Sequence, residues 1–445
     1  MNTQPQTVRR TLRQYFSELG LLLENPLSGF EVYQQRWGDV VPLPIPGLRA
    51  FQITHPQQVG MVLKIPNRDQ MATKSLKDLL GKGLLTNQED DWHWRRRIIA
   101  RPLGPKAITT YIDDMCRLTE NWFTRLNPEG KEIDVTPELM GLAFDILIHT
   151  VFGSNISIDK ESILSLLEQY MREFTLDNTG WRRWLPPFIV TPGRRQRRRA
   201  IAGMQGLIRT AISQRRAAPE SDDLLYRLMT AQDEEGNSFN DEQLRDELLT
   251  MILAGYDTVA LMIGYALWLL AKHSSIQEQV HEELKANITD WPLNANTFAK
   301  LPLLNAVLDE SLRLYPPAYI IGREADRELD MEGFRIKRGD QLLVPLWVVH
   351  RDPRWWQAPG EFRPERWLNG ETDKLPANAF FPFGGGPRLC VGGHFAKLEG
   401  AIILATILRQ SRVSEADDTQ LNLLASVTLR PVDGMRLRFH RRMPE

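Results

Sequence analysis

Cys390 lies near the end of the run FGGGPRLCVG, residues 383 to 392, in which glycine occupies positions 384, 385, 386 and 392. Glycines remove the Cβ atoms that would keep a backbone away from a flat ligand, and Pro387 stiffens the turn between them. The segment that follows, HFAKLEGAIILATIL, has helical spacing. The thiol therefore sits among backbone N–H groups at a helix start, where the thiolate form is favoured. A thiolate is an electron-rich donor suited to axial ligation of a metal centre. The plainer reading is a lone buried cysteine beside a Gly-rich turn.

Three other groups of residues have types and spacing that can do chemistry. In Ala254-Gly255-Tyr256-Asp257-Thr258, a glycine, an acid and a threonine interrupt an apolar helical pattern, and such local rule-breaking tends to mark function. Thr258 can return its hydroxyl to the carbonyl of Ala254 and loosen the helix ladder. Gly255 would let a ligand lie against the backbone, and Asp257 could feed protons inward. The plainer alternative is a kinked core helix with a solvent-facing acid. In EDDWHWRRRIIARPLG, Trp92 and Arg96 stand one helical turn apart, so an indole N–H and a guanidinium on one face can grip an anion. His93 and Arg97 offer the same spacing one position later, and both registers stand; Arg95 and Arg97 read most simply as part of a basic surface. Glu310 and Arg313, in VLDESLRLYPP, form an i,i+3 pair of a kind common on helix surfaces.

The elements that must position these residues read as mainly helical. At 445 residues, 42% hydrophobic and 25% charged, the composition is that of an ordinary globular protein able to bury a large core. A net charge of −1 gives no overall pull toward nucleic acid or anionic membrane. Two cysteines are too few for a disulfide framework, and Cys116, in a helical pattern, reads as a small buried residue. The apolar run from Leu248 to Leu270 is long enough to span a bilayer but has Asp257 near its centre, so it reads as a helix buried on all sides. The expected state is soluble and cytoplasmic, with no membrane anchor.

In chain order, DVVPLPIPG and RAFQIT read as a small hairpin, and His55 and Pro56 open a helix through MVLKI. Helical periodicity dominates from Lys106 to Leu228, with Thr136, Pro137 and Glu138 as a helix start and Gly153 as a stop. In residues 181 to 200 an apolar, proline-bearing loop is followed by a burst of five arginines, 194 to 199, that read as a solvated face. Asn240 with Gln243 makes a capping-box start for the helix of Asp257. IIGREADRELDMEGFRIKRGDQLLVPLWVVHRD reads as strands turning at MEG and RGD, and VTLRPVDGMRLRF as a hairpin around Asp433-Gly434.

The pattern FxxGxxxCxG, met by Phe383, Gly386, Cys390 and Gly392, resembles the haem-binding loop of the cytochrome P-450 family, and the other motifs follow that family's order. The segment at Trp92 and Arg96 resembles its WxxxR helix, AGYDT its oxygen-activation motif, and Glu310 with Arg313 its ExxR pair. FRPERW, residues 362 to 367, falls between that pair and the cysteine and supplies Arg366.

The resemblance implies a mainly α (α+β) fold with small minor sheets, one domain over residues 1–445, and haem b between the Asp257 helix and the Cys390 loop. It implies that Cys390 ligates the iron, that Thr258 and Asp257 manage protons, and that Trp92, Arg96, Arg323 and Arg388 meet the propionates. Phe383, Gly255 and Ala254 would pack at the cofactor. Glu310, Arg313 and Arg366 would form a buried ion cluster fixing the cysteine loop; breaking such a cluster costs on the order of 3–5 kcal/mol. Residues 181 to 200 would match the loop over the substrate entrance, with Trp184, Leu185, Phe188 and Ile189 as its apolar content.

The implied chemistry is dioxygen activation and insertion of one oxygen atom into an apolar substrate such as a fatty acid, carotenoid or terpenoid. The pocket would be lined by Leu85, Ala254, Ala318, Ile320, Ile321 and Val427. No dinucleotide-binding glycine pattern accompanies the motifs, so electrons are expected from a separate ferredoxin or flavodoxin, docking on a monomer through Arg95, Arg97 and Lys397. Two alternatives stay open: a peroxide-rearranging enzyme of the same fold, and a non-catalytic haem-thiolate sensor.

Overall fold

The computed structural model describes residues 11–66, 76–88, 91–154, 156, 158–178, 189, 191–218, 220–288, 291–416 and 420–442. Trp184, Leu185 and Phe188 of the expected entrance loop lie outside them. Thirteen principal helices follow one another along the described chain: α1 (Leu12–Glu24), α2 (Pro26–Trp37), α3 (Pro56–Leu63), α4 (Trp92–Ala100), α5 (Ile112–Leu126), α6 (Val135–Phe152), α7 (Lys160–Asn178), α8 (Pro192–Ala217), α9 (Leu224–Thr230), α10 (Asp241–Lys272), α11 (Ser274–Asn287), α12 (Pro302–Leu314) and α13 (Gly393–Gln410).

The axis of this bundle is α10. Its start is the expected capping box, with Asn240 Oδ1 accepting from Gln243 N–H at 2.9 Å and Gln243 Oε1 accepting from Asn240 N–H at 3.0 Å. From Leu248 to Leu270 nearly every residue is buried, because α6, α8, α12 and α13 surround it. An apolar helix covered on all sides is what its continuous hydrophobicity requires. α6 begins one residue before the expected start, where Asp134 caps the N–H of Thr136, and ends at Gly153 with φ 67°.

Among the described residues, four small sheets decorate the bundle. β1 (Val40–Pro42), β2 (Ala50–Ile53), β7 (Gln341–Pro345) and β4 (Ile320–Glu324) form one, in the order β1-β2-β7-β4. β5 (Leu329–Met331) pairs with β6 (Phe334–Ile336) around the expected MEG turn. The expected hairpin around Asp433-Gly434 is not formed. β10 (Leu429–Pro431) turns back on β9 (Leu423–Ala425), whereas β11 (Arg436–Arg441) lies between β3 (Glu132–Asp134) and β8 (Ser411–Glu415). Asp433-Gly434 therefore joins two sheets. The alternation on both sides of it was real, but alternation identifies a strand and not its partner.

Of the five arginines after residue 193, Arg195, Arg198 and Arg199 are exposed on α8 as a solvated face. Arg197 instead reaches Asp177 at 3.2 Å and also pairs with Asp78, and Arg194 lies 3.9 Å from Asp177.

Candidate active site

The Cys390 loop is held by a chain of hydrogen bonds that begins at an ion cluster. Glu310, fully buried on α12, accepts from Arg313 Nε at 2.9 Å and Nη2 at 2.8 Å, and from Arg366 Nε at 3.0 Å. Trp367 Nε1 and the Arg363 N–H complete its oxygens at 2.9 and 3.0 Å. Arg313 in turn donates to the carbonyls of His350, Pro359 and Glu361. His350 is fully buried, and burial first, then the nearby Arg313 and Arg351, holds its imidazole well below the usual range. In the neutral form its Nε2 accepts the Phe381 N–H at 3.1 Å. Phe381 C=O takes the Gly384 N–H at 2.8 Å, and Phe383 C=O takes the Cys390 N–H at 2.9 Å. The sequence supplied the three charged members, and Trp367 only as the end of FRPERW with no role given; His350 carried no signal that would have singled it out.

Within the loop, Gly386 has φ 63°, and a Cβ there would overlap the Leu63 carbonyl at the end of α3. Gly384 has φ 76° and faces Ile321 of β4. Phe383 is half-buried against Gly393 at the start of α13. The loop thus ends with Cys390 exposed, while Cys116 is buried and its thiol is pushed up to about 11 by burial.

The structure separates the two registers on α4. His93 is exposed, and Arg97 turns to Asp233 at 3.4 Å. Trp92 is buried, and Arg96 donates to the Leu389 carbonyl at 2.7 Å; burial lowers the Arg96 pKa, and the nearby Cys390 opposes that shift. The Arg388 guanidinium lies 3.9 Å from the Trp92 ring and donates to the carbonyls of Pro66, Leu84 and Asn87. Trp92 Nε1 also donates to Leu84 C=O, at 3.1 Å. Arg323 is buried on β4 and donates to Gly322 C=O.

Arg95 is a correction. It is only 2% exposed and donates to Lys82 C=O, with Asp91 and Glu247 as its acids. Lys397 is bound to Asp309 at 2.8 Å. The basic patch expected from Arg95, Arg97 and Lys397 therefore does not exist. Helical spacing shows which residues share a face, not which face is turned inward.

On α10, Thr258 Oγ1 donates to Ala254 C=O at 2.7 Å, as its position predicts. Gly255 does not open the backbone to a ligand. A Cβ there would lie 3.1 Å from Leu147 of α6, so the glycine serves helix packing. The open position is Ala254, which is exposed in the middle of an otherwise buried helix, with Thr258 half-exposed one turn on. Asp257 is neither solvent-facing nor free. It is 3% exposed, accepts from Thr428 Oγ1 at 2.6 Å, and lies 2.9 Å from Arg430 Nη2 on β10. Arg430 Nε donates to Thr428 Oγ1 at 3.1 Å, which closes the group.

Of the expected lining residues, Ala318 is exposed, and Ile320, Ile321, Leu85 and Val427 are half-buried. The donor set fits an anionic flat cofactor with a metal: an accessible thiol, an arginine beside it, further arginine and indole donors, and one stretch of α10 left uncovered. An exposed alanine in a core helix is otherwise unexplained by packing.

The family model described as cytochrome P450 matches residues 11–436. Pentalenene oxygenase of Streptomyces avermitilis is 28% identical over 92% of this chain and 91% of its own. Cyclooctat-9-en-7-ol 5-monooxygenase of Streptomyces melanosporofaciens is 28% identical over 86% of this chain and 84% of its own. The crystal structure of the cytochrome P450DA heme domain superposes with a TM-score of 0.87, covering 99% of this chain and 98% of that one, at 24% identity.

Proposed function

The chain belongs to the cytochrome P450 family and is a haem-dependent monooxygenase, and on that premise we propose that Cys390 is its iron ligand and an apolar terpenoid its substrate. The observation that carries the ligand assignment is the exposed Cys390 at the end of a hydrogen-bonded loop, with Arg96 beside it. Haem, when bound, supplies the activation of dioxygen that no side chain can perform. Everything else falls to the chain. Arg96, Arg323 and Arg388 hold the propionates by charge-assisted hydrogen bonds, and Trp92, its N–H given to Leu84 C=O, packs beside Arg388 at that edge. Ala254 and Phe383 pack against the ring.

Thr258 and Asp257 manage protons. The Thr258 hydroxyl hydrogen is committed to Ala254 C=O, so its Oγ1 lone pairs are what it offers outward. Asp257, held by Arg430 and Thr428, is the ionisable group behind it through which protons drawn from solvent would pass. The Glu310, Arg313 and Arg366 cluster fixes the loop through His350 and Phe381.

The half-buried residues Leu85, Ile320, Ile321 and Val427, with Ala318 and Ala254, offer only apolar contacts, which suit a hydrocarbon. Both bacterial relatives are named for the oxygenation of terpenoid-type compounds, and this favours a terpenoid over a fatty acid or carotenoid. Electrons come from a separate ferredoxin or flavodoxin. The protein acts as a soluble cytoplasmic monomer of one domain; its two most apolar long helices, α6 and α10, are 56% and 78% buried in the fold rather than offered to lipid.

The test is the optical spectrum of the reduced, carbon-monoxide-bound protein beside Cys390→Ser. A strongly red-shifted Soret band that vanishes in the variant is expected. A wild-type band at the position of imidazole-ligated haem would overturn the assignment. Spin-state titrations with sesquiterpene and diterpene hydrocarbons against lauric acid decide the substrate class: a shift with lauric acid alone would remove the terpenoid reading.

A further inference from the structure

Ten positions before Asp257, α10 carries an acid that the site above does not use. Glu247 is 1% exposed. Its Oε2 accepts the Leu84 N–H at 2.8 Å, and its Oε1 lies 3.5 Å from Arg95 Nη1. The other end of the same residue, Leu84 C=O, is the acceptor for Trp92 Nε1 at 3.1 Å and Arg388 Nη1 at 3.3 Å. Leu85 follows directly.

The segment comes unusually close to α10. Gly81 has φ 53°, and a Cβ on it would overlap the Asp246 carboxylate. A Cβ on Gly83 would meet Asp246 C=O at 2.8 Å and overlap Thr250 Oγ1. Asp246 takes the Lys82 N–H at 2.9 Å. Two adjacent acids of one helix turn therefore each hold one N–H of residues 81–87.

We propose that Glu247 is a positioning residue: by holding the Leu84 N–H it fixes the residue whose carbonyl orients Trp92 and Arg388 at the cofactor edge and whose neighbour Leu85 borders the pocket. This rests on the roles given to Trp92, Arg388 and Leu85 above. The charged groups facing Glu247 are Arg95 and Asp91 from α4, Asp246 and Arg245 from α10, Lys82 of the segment itself, and Arg388 across Leu84. Burial pushes its carboxyl up to about 7, against the opposing pull of the Leu84 N–H and Arg95, and Asp246 adds to the rise.

A carboxyl that keeps its proton more firmly when docked than in water makes docking weaken as pH rises from the ordinary carboxylate range to about 7. Above that pH the effect is complete. Between pH 6 and pH 8 the opening constant of the segment should rise about tenfold.

The experiment is hydrogen exchange of the haem-loaded protein at pH 6 and pH 8, reading the protection of residues 81–88 after correction for chemical exchange. Wild-type protection is expected to fall about tenfold over this range. Glu247→Gln, which keeps an acceptor for the Leu84 N–H but cannot ionise, should show no such fall. Glu247→Ala should lose protection at both pH values and bind 4-phenylimidazole several-fold more weakly, with Glu247→Gln restoring both. An equal pH slope in wild type and Glu247→Gln, or unchanged protection in Glu247→Ala, overturns the proposal. If Glu247→Ala does not fold, the comparison of wild type with Glu247→Gln still decides. Exchange needs neither turnover nor thiolate ligation, so its failure is distinct from a failure of the Cys390 assignment.

Discussion

At the scale of residues, Asp257 shows both what sequence reveals and what it withholds. An acid inside an apolar helix next to a threonine is visible as a local misfit, and the Thr258 to Ala254 hydrogen bond follows from spacing within one helix. Its partners do not follow, because Thr428 lies 171 positions away and no local rule connects them. Arg95 has one local acid, Asp91, but the second, Glu247, is 152 positions distant, and its burial against that helix is not a local property. If Asp257 supplies protons, Asp257→Asn, which keeps an oxygen for Thr428 but not the ionisable group, should slow product formation by about a hundredfold. Stopped-flow product formation and oxygen consumption, measured beside an unchanged substrate spin-state titration, check this. Unchanged turnover would leave Asp257 as a purely structural partner of Arg430.

At the scale of elements, helices and the local hairpins β1–β2 and β5–β6 were legible, and sheet partners distant in the chain were not. The capping box at Asn240, the stop at Gly153 and the opening of α3 at Pro56 are set by neighbours within a few positions. The strands after residue 420 were visible as strands, yet β10 pairs backward with β9 and β11 pairs with β3, some 300 residues earlier in the chain. The cysteine loop is the element on which the site depends most closely. Gly386 combines a positive φ with a backbone carbonyl where its Cβ would be. Gly386→Ala is therefore expected to cost about 1–3 kcal/mol and to raise the rate of haem loss. Denaturant melts and haem transfer to apomyoglobin measure the two effects; an alanine variant that matches wild type in both would show that α3 yields at Leu63.

For the molecule as a whole, α10 is the helix around which α6, α8, α12 and α13 pack, and its buried Glu247 makes stability depend on pH. Glu247 holds its proton up to about 7 when folded and releases it in the ordinary carboxylate range when unfolded. Between those values the unfolded chain binds fewer protons, so stability falls as pH rises. From pH 5 to pH 8 the wild type should lose about 2–3 kcal/mol relative to Glu247→Gln. Urea midpoints of both proteins at the two pH values give the difference directly; parallel pH curves would mean that water reaches Glu247 in the folded state.

The hairpin of β9 and β10 has a consequence for how substrate range can change. Val427 sits between Ser426, whose carbonyl accepts the Tyr319 hydroxyl at 3.1 Å, and Thr428, whose hydroxyl is committed to Asp257. Two residues on, Leu429 C=O accepts the Tyr265 hydroxyl and its N–H reaches Pro317 C=O. A hairpin pinned on both sides of one apolar side chain behaves as a fixed gauge. Enlarging Val427 cannot be absorbed by backbone drift, so, on the lining proposed above, added volume at that position would be taken almost wholly from the cavity, whereas the same enlargement at the exposed Ala318 leaves the side chain room to turn aside. Directed evolution toward smaller ligands would then find its shortest path at 427.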